Sequence, residues 1–325
     1  MPKRTLLRKL GRLALLCTGA FVLSRGTARL VGAGTGRRLG DITSPDRVVS
    51  FVNVSTLDVQ LAPPNTYALI VPMHSTTQLE VMRVTWSLFP PCNETLRKSA
   101  EIDLIFLTDV QLSSMTVPGH GCFKTVFQLK PMVPSCYNSY SQFAPYSFFN
   151  MMLQQDLNQK YIALLQIEAD SVPVTVNWLP ISVSTVLEPA SGHVWIHAAT
   201  NLLHENNFNG NAAYNLQNYE FRLFLFKYRE WFYSTVSGDT AFDTNMIKFA
   251  RDTGQLVPFT QKHLHAASGL RNCDLMSLTN CRSSVDPATW GGAIPGTILV
   301  HSHYFKDPAM VKEQLLLELL GAENR

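Results

Sequence analysis

Two acidic residues separated by one small residue, Glu168 and Asp170, stand directly after a strongly apolar segment, residues 161–167. In an extended backbone, side chains two residues apart point the same way, so both carboxylates can face one cation. Carboxylate oxygens are ligands that Mg²⁺ and Mn²⁺ prefer. A cation held here would stabilise the negative charge that develops on a departing diphosphate. The spacing therefore predicts a divalent-cation site; the alternative for an acid-x-acid triplet is a solvated turn.

Three apolar segments predict the strands that position this pair: residues 67–72, 102–109 and 161–167. Between them, apolar residues recur with helical spacing over 79–88 and 147–157. Strands separated by helical crossovers form a mostly parallel sheet, and a strand covered on both faces is almost continuously apolar. Parallel α/β sheets bind ligands beyond the carboxyl ends of their strands, where the acidic pair falls. We predict an α/β fold with helices flanking the sheet.

The chain divides into a leader over 1–45 and one globular domain over 46–325, which ends in a helix predicted after Pro308 with Asp307 as its N-cap. The apolar run of the leader, residues 13–23, is shorter than the ~20 residues that cross a bilayer as a straight helix. Basic residues followed by a short apolar run are typical of a secretory signal or signal anchor. An organellar transit peptide is the alternative, because residues 1–40 are rich in arginine and free of acids.

The formal net charge of +3 arises from that leader. Its basic residues are Lys3, Arg4, Arg8, Lys9, Arg12, Arg25, Arg29, Arg37 and Arg38. The remaining domain is mildly acidic, which argues against a general nucleic-acid surface, so we expect no nucleic-acid partner. The chain also lacks P-loop, Rossmann-dinucleotide and α/β-hydrolase motifs, which argues against those chemistries.

The segment Leu164-Leu-Gln-Ile-Glu-Ala-Asp-Ser-Val-Pro-Val, followed by Trp178-Leu, resembles the metal motif of GT-A fold glycosyltransferases, particularly type II membrane enzymes. The resemblance implies a GT-A-like catalytic domain over 46–325 with a nucleoside-diphosphate sugar bound across the motif. It also implies that Asp170 is a direct ligand of Mn²⁺ (or Mg²⁺), and that Glu168 acts on the metal or on the ribose.

Asn209-Gly210-Asn211-Ala-Ala-Tyr214 is similar to a segment of the same enzymes, in which amides on a tight turn would bind sugar hydroxyls. A turn that opens a helix is the alternative. His301, at the end of an apolar strand, resembles the late histidine that completes the metal coordination. These similarities imply that Asn209, Gly210 and Asn211 bind the donor and that His301 binds the metal.

Asp239 and Asp243 precede a helical pattern, in a segment where related enzymes carry a catalytic or acceptor-orienting acid. Either acid could remove the acceptor's proton or orient the acceptor, and Asp243 is the preferred choice; a helix N-cap is the alternative. By placement near strand ends, we also predict that Asp109, His74 and Arg83 contact the nucleotide or its ribose.

The function expected from this resemblance is metal-dependent transfer of a hexosyl or pentosyl group to a glycan, glycoprotein or glycolipid acceptor. The expected location is the Golgi membrane, with the N-terminal segment in the membrane; import into another organelle is the alternative. Two other functions stay open: a non-catalytic glycan-binding relative, and a sugar nucleotidyltransferase, since the fold hosts all three.

Cysteines and sequons bear on the compartment. If the compartment is oxidising, Cys122 with Cys136 and Cys273 with Cys281 would close short loops; buried free thiols are the alternative. Two N-glycosylation sequons begin at Asn53 and Asn93, and they are compatible with a lumenal location.

Overall fold

The computed structural model describes residues 52–53, 66–93, 102–110, 112, 119–130, 140–201, 208–236, 241–272, 298–301 and 307–313. The leader, Asp239, Cys136, Cys273 and Cys281 lie outside these residues. The side chains of Asn209 and His301 are not described either, although the backbone at both positions is.

The described residues form a ten-stranded sheet in the order β1-β4-β3-β2-β5-β8-β7-β9-β10-β6. Six of its strand pairs are parallel and three are antiparallel, the latter being β5 with β8, β7 with β8, and β6 with β10. The strands are β1 Val52–Asn53, β2 Thr66–Pro72, β3 Ile102–Leu107, β4 Val126–Leu129, β5 Tyr161–Gln166, β6 Ser171–Pro173, β7 Ile196–Asn201, β8 Phe208–Asn215, β9 Leu264–Asn272 and β10 Leu299–His301.

Helices connect and cover the strands. They are α1 Thr76–Leu88, α2 Tyr140–Leu153, α3 Gln155–Lys160, α4 Trp178–Ser182, α5 Glu188–Ala190, α6 Tyr219–Thr235, α7 Phe242–Asp252, α8 Leu256–Pro258 and α9 over residues 308–313. A 3₁₀ turn spans His120–Cys122, and π-helical turns span Val183–Leu187 and Phe259–His263. No helix within the described part of the chain combines the length and apolar character needed to cross a bilayer.

The sheet separates two apolar cores, because successive side chains of a strand point to opposite faces. In β2, Ala68 and Ile70 belong to one core, whereas Leu69 and Val71 belong to the other. Helices α2, α6 and α7 pack on the first face, and α1 and α4 pack on the second. The predicted α/β fold with a mostly parallel central sheet and flanking helices is confirmed.

Local signals placed several helices correctly. Helix α1 begins after Ser75, whose hydroxyl accepts a hydrogen bond from Gln78 N at 3.4 Å. The predicted cap of α9 is confirmed, since Asp307 Oδ1 accepts from Ala309 N at 2.9 Å. The helix predicted over 147–157 is divided in the structure: α2 ends at Leu153, and α3 begins at Gln155.

A disulfide joins Cys92 to Cys122, with the two Cα atoms 5.7 Å apart. The suggested loop between Cys122 and Cys136 is therefore wrong. Both cysteines are buried, and their bond holds the segment that follows α1 against the 3₁₀ turn at His120–Cys122. The other suggested pair, Cys273 with Cys281, lies outside the described residues.

A buried ion pair lies at the amino end of the parallel strands. The Asp103 carboxylate in β3 is 1% exposed, and Lys160 Nζ lies 2.8 Å from its Oδ2 atom. The Tyr161 hydroxyl donates to the same oxygen at 2.9 Å. Burial raises the pKa of Tyr161 far above its ordinary range, and the negative charge of Asp103 raises it further. Lys160 thus neutralises a carboxylate that the core encloses.

We expect Lys160→Met to lower the free energy of unfolding by about 3 kcal/mol, because it leaves a buried charge without its partner. Urea denaturation at neutral pH measures the change. The double variant Lys160→Met with Asp103→Asn is the control, and it should recover part of the loss because no unpaired charge remains. Equal destabilisation of the single and double variants would contradict this account of the pair.

Candidate functional site

The acidic motif forms a tight turn at the centre of the sheet. Strand β5 ends at Gln166, and Ser171 N donates to Glu168 O at 2.9 Å, which closes a turn over residues 168–171, here called the acidic turn. The prediction that Glu168 and Asp170 lie on an extended backbone is therefore wrong, because side-chain alternation does not apply inside a hydrogen-bonded turn. Their placement beyond the carboxyl end of a buried central strand is confirmed.

Asn211 holds the acidic turn to the neighbouring strand. Its Oδ1 atom accepts a hydrogen bond from Glu168 N at 2.7 Å and a second from Ser171 Oγ at 2.8 Å. Asn211 is 3% exposed and lies one residue beyond the β8 position that pairs with Gln166. The same amide oxygen therefore fixes both ends of the turn that carries the two acids.

Strand β10 brings His301 beside this turn. His301 pairs in register with Ser171 of β6 and with Asn272 of β9. The Cα atom of His301 therefore lies opposite Ser171, the residue that follows Asp170. The prediction that a late histidine joins the acidic motif is supported at the level of the backbone, and its role as a ligand stays a prediction.

The Asn209-Gly210-Asn211 segment lies within strand β8, so the prediction that it forms a turn is wrong. Its predicted role in binding the donor stays a prediction. Gly210 permits a close approach there: a Cβ atom would lie 3.1 Å from Phe242 Cζ and 3.3 Å from Gln166 Nε2. The β7–β8 pairing shifts register across this segment, from Ala198 opposite Ala212 to Thr200 opposite Phe208, so the strand accommodates Asn-Gly as an irregularity instead of reversing direction.

Asp243 anchors helix α7 to this strand. Its Oδ2 atom accepts from Gly210 N at 2.9 Å, and its Oδ1 atom accepts from Thr244 N at 2.8 Å. The alternative that Asp243 is an N-cap is wrong, because the cap position is Ala241 and Asp243 lies inside the helix. The geometry gives Asp243 a positioning role, and its predicted catalytic role stays a prediction.

Negative charge accumulates around the acidic turn. Burial raises the pKa of Asp243 to about 6, and the charge of Glu168 raises it as well, against the opposing effect of the backbone N–H donors. Burial, Asp243 and Glu168 together raise the pKa of Tyr214. The Tyr214 hydroxyl donates to Gly210 O at 3.2 Å. Two carboxylates therefore act on one buried region, which is an environment that a cation would stabilise.

A small cavity of about 30 Å³ opens at the carboxyl edge of the parallel strands. Pro72, Leu107 and Gln166, the last residues of β2, β3 and β5, line it together with Glu168. Its remaining lining residues are Ala144, Ser147, Phe148 and Phe242. This volume holds a water molecule or one hydroxyl-sized group, so a larger ligand would lie mostly outside it.

The Ser147 hydroxyl is a buried polar group that also lines this cavity. It is 4% exposed, and its Oγ atom has no hydrogen-bond partner among the described residues. Buried polar atoms are rarely left unsatisfied, so a water molecule or a ligand hydroxyl would complete its bonding. The Phe148 and Phe242 rings stack beside it with centroids 4.0 Å apart, which gives the cavity a rigid apolar wall.

A larger cavity of about 450 Å³ lies elsewhere, next to the disulfide. The described residues that line it include no acid or base; they are Pro90, Cys92, Asn93, Gly119, Gly121, Cys122, Val176 and Asn177. We place the functional site at the smaller cavity, because it lies at the carboxyl ends of the parallel strands and Glu168 of the acidic turn lines it.

Three predicted nucleotide contacts lie apart from the cavity lining. Asp109 is exposed just beyond β3, at the same edge of the sheet. His74 is exposed beyond β2, and its backbone N donates to Gln78 Oε1 at 2.8 Å. Arg83 lies on α1, on the opposite face of the sheet from the cavity, and pairs with Glu80 at 2.9 Å. Their contacts with a nucleotide stay predictions.

Sequence reasoning missed Gln166, Ser171 and Ser147. Gln166 interrupts the apolar run of β5 just before the acidic turn, and a lone polar residue in such a run was a usable signal. Ser171 follows the second acid directly, where a hydroxyl can close a turn. Ser147 had no distinguishing signal, because one serine within a helical pattern is ordinary.

The residues present fit a hard divalent cation in part. Glu168 and Asp170 supply carboxylate oxygens from one turn, in a region with surplus negative charge. Among the residues that the structure describes, no group of three or more His, Cys, Asp or Glu side chains converges. The backbone of His301 pairs with Ser171, and its predicted role as a metal ligand stays a prediction.

No protein-family model matches the chain, and no curated protein matches it by sequence. Similar solved structures include the glycosyltransferase GlyE of Streptococcus pneumoniae TIGR4 in its apo form, with a TM-score of 0.45 and 10% identity, over 78% of this chain and 64% of that chain. A second GlyE structure has a TM-score of 0.42 and 10% identity, over 77% of this chain and 63% of that chain.

Another similar structure is apo mouse xyloside xylosyltransferase 1, with a TM-score of 0.42 and 11% identity, over 73% of this chain and 98% of that chain. The chain thus spans less than two thirds of the GlyE chains. These proteins are glycosyltransferases, the class that the acidic motif resembles. Because identities this low describe the fold alone, the function is inferred from the site.

We expect Asn211→Ala to lower the free energy of unfolding by about 1–3 kcal/mol, since it leaves the Glu168 N–H and the Ser171 hydroxyl without their acceptor. Ser171→Ala should cost less, about 1 kcal/mol, because Asn211 keeps its bond to Glu168 N. Urea denaturation of both variants checks this order. Stability as high in Asn211→Ala as in Ser171→Ala would refute the shared-acceptor arrangement.

The raised pKa of Asp243 predicts a pH dependence. The folded-state value of about 6 exceeds the ordinary 3.8, so the folded protein binds this proton more tightly than the unfolded chain does. That stabilisation is full below the ordinary value and is lost as pH rises through the folded value.

Between pH ~4 and ~7, the wild-type chain should lose up to about 3 kcal/mol more stability than Asp243→Asn, which has no carboxyl to titrate. Chemical denaturation across this range, without added divalent cations, measures the difference. Parallel stability curves for the two proteins would show that burial of Asp243 does not raise its pKa.

Proposed function

We propose that the chain is a metal-dependent glycosyltransferase that moves a sugar from a nucleoside-diphosphate donor to a glycan, glycoprotein or glycolipid acceptor. The supporting observation is the acidic turn, which presents Glu168 and Asp170 beyond the carboxyl end of β5, at the edge where β2 and β3 also end. Ligands of parallel α/β sheets bind at this edge.

Glu168 and Asp170 would hold the cation in this proposal, with His301 as a further ligand. When bound, a divalent cation such as Mn²⁺ or Mg²⁺ neutralises charge on the diphosphate oxygens. The two acids suit this task because Asn211 holds their backbone in place before any ligand arrives, and preorganised groups need no rearrangement during the reaction.

The remaining residues of the site position the donor. The Ser147 hydroxyl and the Gln166 amide line a cavity of hydroxyl size, which suits one hydroxyl of a sugar or ribose. Phe148 and Phe242 keep water out of the apolar side of this cavity. Asp243 fixes Gly210 and so sets the distance between β8 and this wall. Asp243 and Asp239 both keep their proposed role as the acid that activates or orients the acceptor, with Asp243 the preferred choice.

The proposed location of the protein is the secretory pathway, and this location can be tested independently of the proposed reaction. The N-terminal segment would attach the protein to the Golgi membrane as a type II protein. The Cys92–Cys122 disulfide supports this setting, because disulfides persist in oxidising compartments.

A panel of nucleotide sugars, assayed for Mn²⁺-dependent donor hydrolysis or transfer, would test the proposed reaction. We expect Asp170→Asn to reduce the rate with the best donor by at least about 100-fold, the size of effect typical when electrostatic stabilisation of developing charge is lost. Circular dichroism should show that the variant remains folded.

Asp252→Asn is the matched control, because Asp252 is an exposed acid at the end of α7. Its rate should equal that of the wild-type chain. Full activity in folded Asp170→Asn would overturn the proposal.

Calorimetry with UDP and Mn²⁺ distinguishes the enzyme from a glycan-binding relative, which would show no metal-dependent nucleotide binding. Turnover of nucleoside triphosphate with a sugar phosphate would instead identify a nucleotidyltransferase.

A further inference from the structure

Asn93 combines an acceptor sequence with an accessible position. It begins the triplet Asn93-Glu94-Thr95, which has the pattern that accepts N-linked glycans. Asn93 is exposed, four residues past Phe89, the C-cap residue of α1, and directly after Cys92. The sequence requirement and the accessibility are separate observations that meet at one residue.

The neighbouring disulfide indicates the compartment. Cys92 and Cys122 are bonded, and their side chains are 9% and 6% exposed. Disulfides form in the oxidising lumen of the secretory pathway, where N-linked glycans are also attached. A residue next to Asn93 therefore carries a bond made in the compartment that glycosylates such triplets.

The surface around Asn93 has room for the first sugar. Asn93 lines the open cavity of about 450 Å³ together with Gly119, Gly121 and Asn177, all of them small or polar. Val176 lies on the same cavity and is 52% exposed. The apolar face of a sugar ring can cover such a side chain, which would remove apolar surface from water.

We propose that Asn93 is an N-linked glycosylation site. The Asn93 Nδ2 atom forms a bond to C1 of the sugar, while the bond from C1 to the diphosphate oxygen of a lipid-linked oligosaccharide breaks. The lipid diphosphate leaves with that electron pair, and Nδ2 gives up one proton. The proposal is independent of the sugar-transfer activity of the chain itself.

The test is expression of the full chain in a eukaryotic cell, followed by treatment with peptide N-glycosidase. We expect an increase in gel mobility and conversion of Asn93 to aspartate in the matching peptide, as read by mass spectrometry. Asn93→Gln and Thr95→Ala should both lose this conversion. Thr95→Ser should retain it, because serine supplies the required hydroxyl without altering Asn93.

Asn53→Gln is the matched control, since it removes the other sequon, and it should leave the Asn93 glycan in place. An unmodified Asn93 in full-length chain whose Cys92–Cys122 bond has formed would overturn the proposal. Full-length chain that contains neither the bond nor the glycan would overturn it as well, by showing that the chain stays outside the lumen. Sugar-transfer activity should be unchanged in Thr95→Ala, so the two proposals fail separately.

Discussion

Asn211 Oδ1 is the atom on which the geometry of the site depends. A carbonyl oxygen has two lone pairs, and this one uses them for Glu168 N and Ser171 Oγ. Those donors belong to the two ends of the acidic turn, so one amide fixes both in a region where water cannot replace it. Asn211 reaches them because β8 runs antiparallel to β5 and places it just past Gln166.

Electrostatic repulsion is the second constraint on this region. Burial is the largest cause of the raised pKa values of Asp243 and Tyr214, and the charge of Glu168 raises both further. The fold tolerates it because backbone N–H groups of Gly210 and Thr244 face the Asp243 carboxylate. Clusters of this kind cost stability and are retained where charge is needed for binding or chemistry. The opposite end of the sheet differs, since Lys160 there neutralises the buried Asp103 directly.

Periodicity in the sequence was sufficient to place β2, β3, β5 and α1, since each buries a regular apolar pattern. It also located the acids at a strand end. It failed where a local rule met the tertiary structure: Asn-Gly favours a turn, yet this segment continues strand β8 across a register shift between β7 and β8.

The sequence could not identify which residues bond to Asn211, Asp103 and Cys122, for a related reason. Each is distant along the chain, and residue type and spacing carry no information about which distant groups the topology brings together. Cys122 was paired with Cys136 because the two are close in sequence, whereas in the fold Cys122 bonds to Cys92.

The register between Ser171 and His301 has a consequence for biosynthesis. Strand β10 follows the other nine described strands along the chain, so the edge of β6 beside the acidic turn stays unpaired until residues 299–301 have been synthesised. Long-range pairings of this kind form late and slowly. A nascent chain halted before β10 would therefore expose the edge of β6, which invites chaperone binding until β10 has been synthesised.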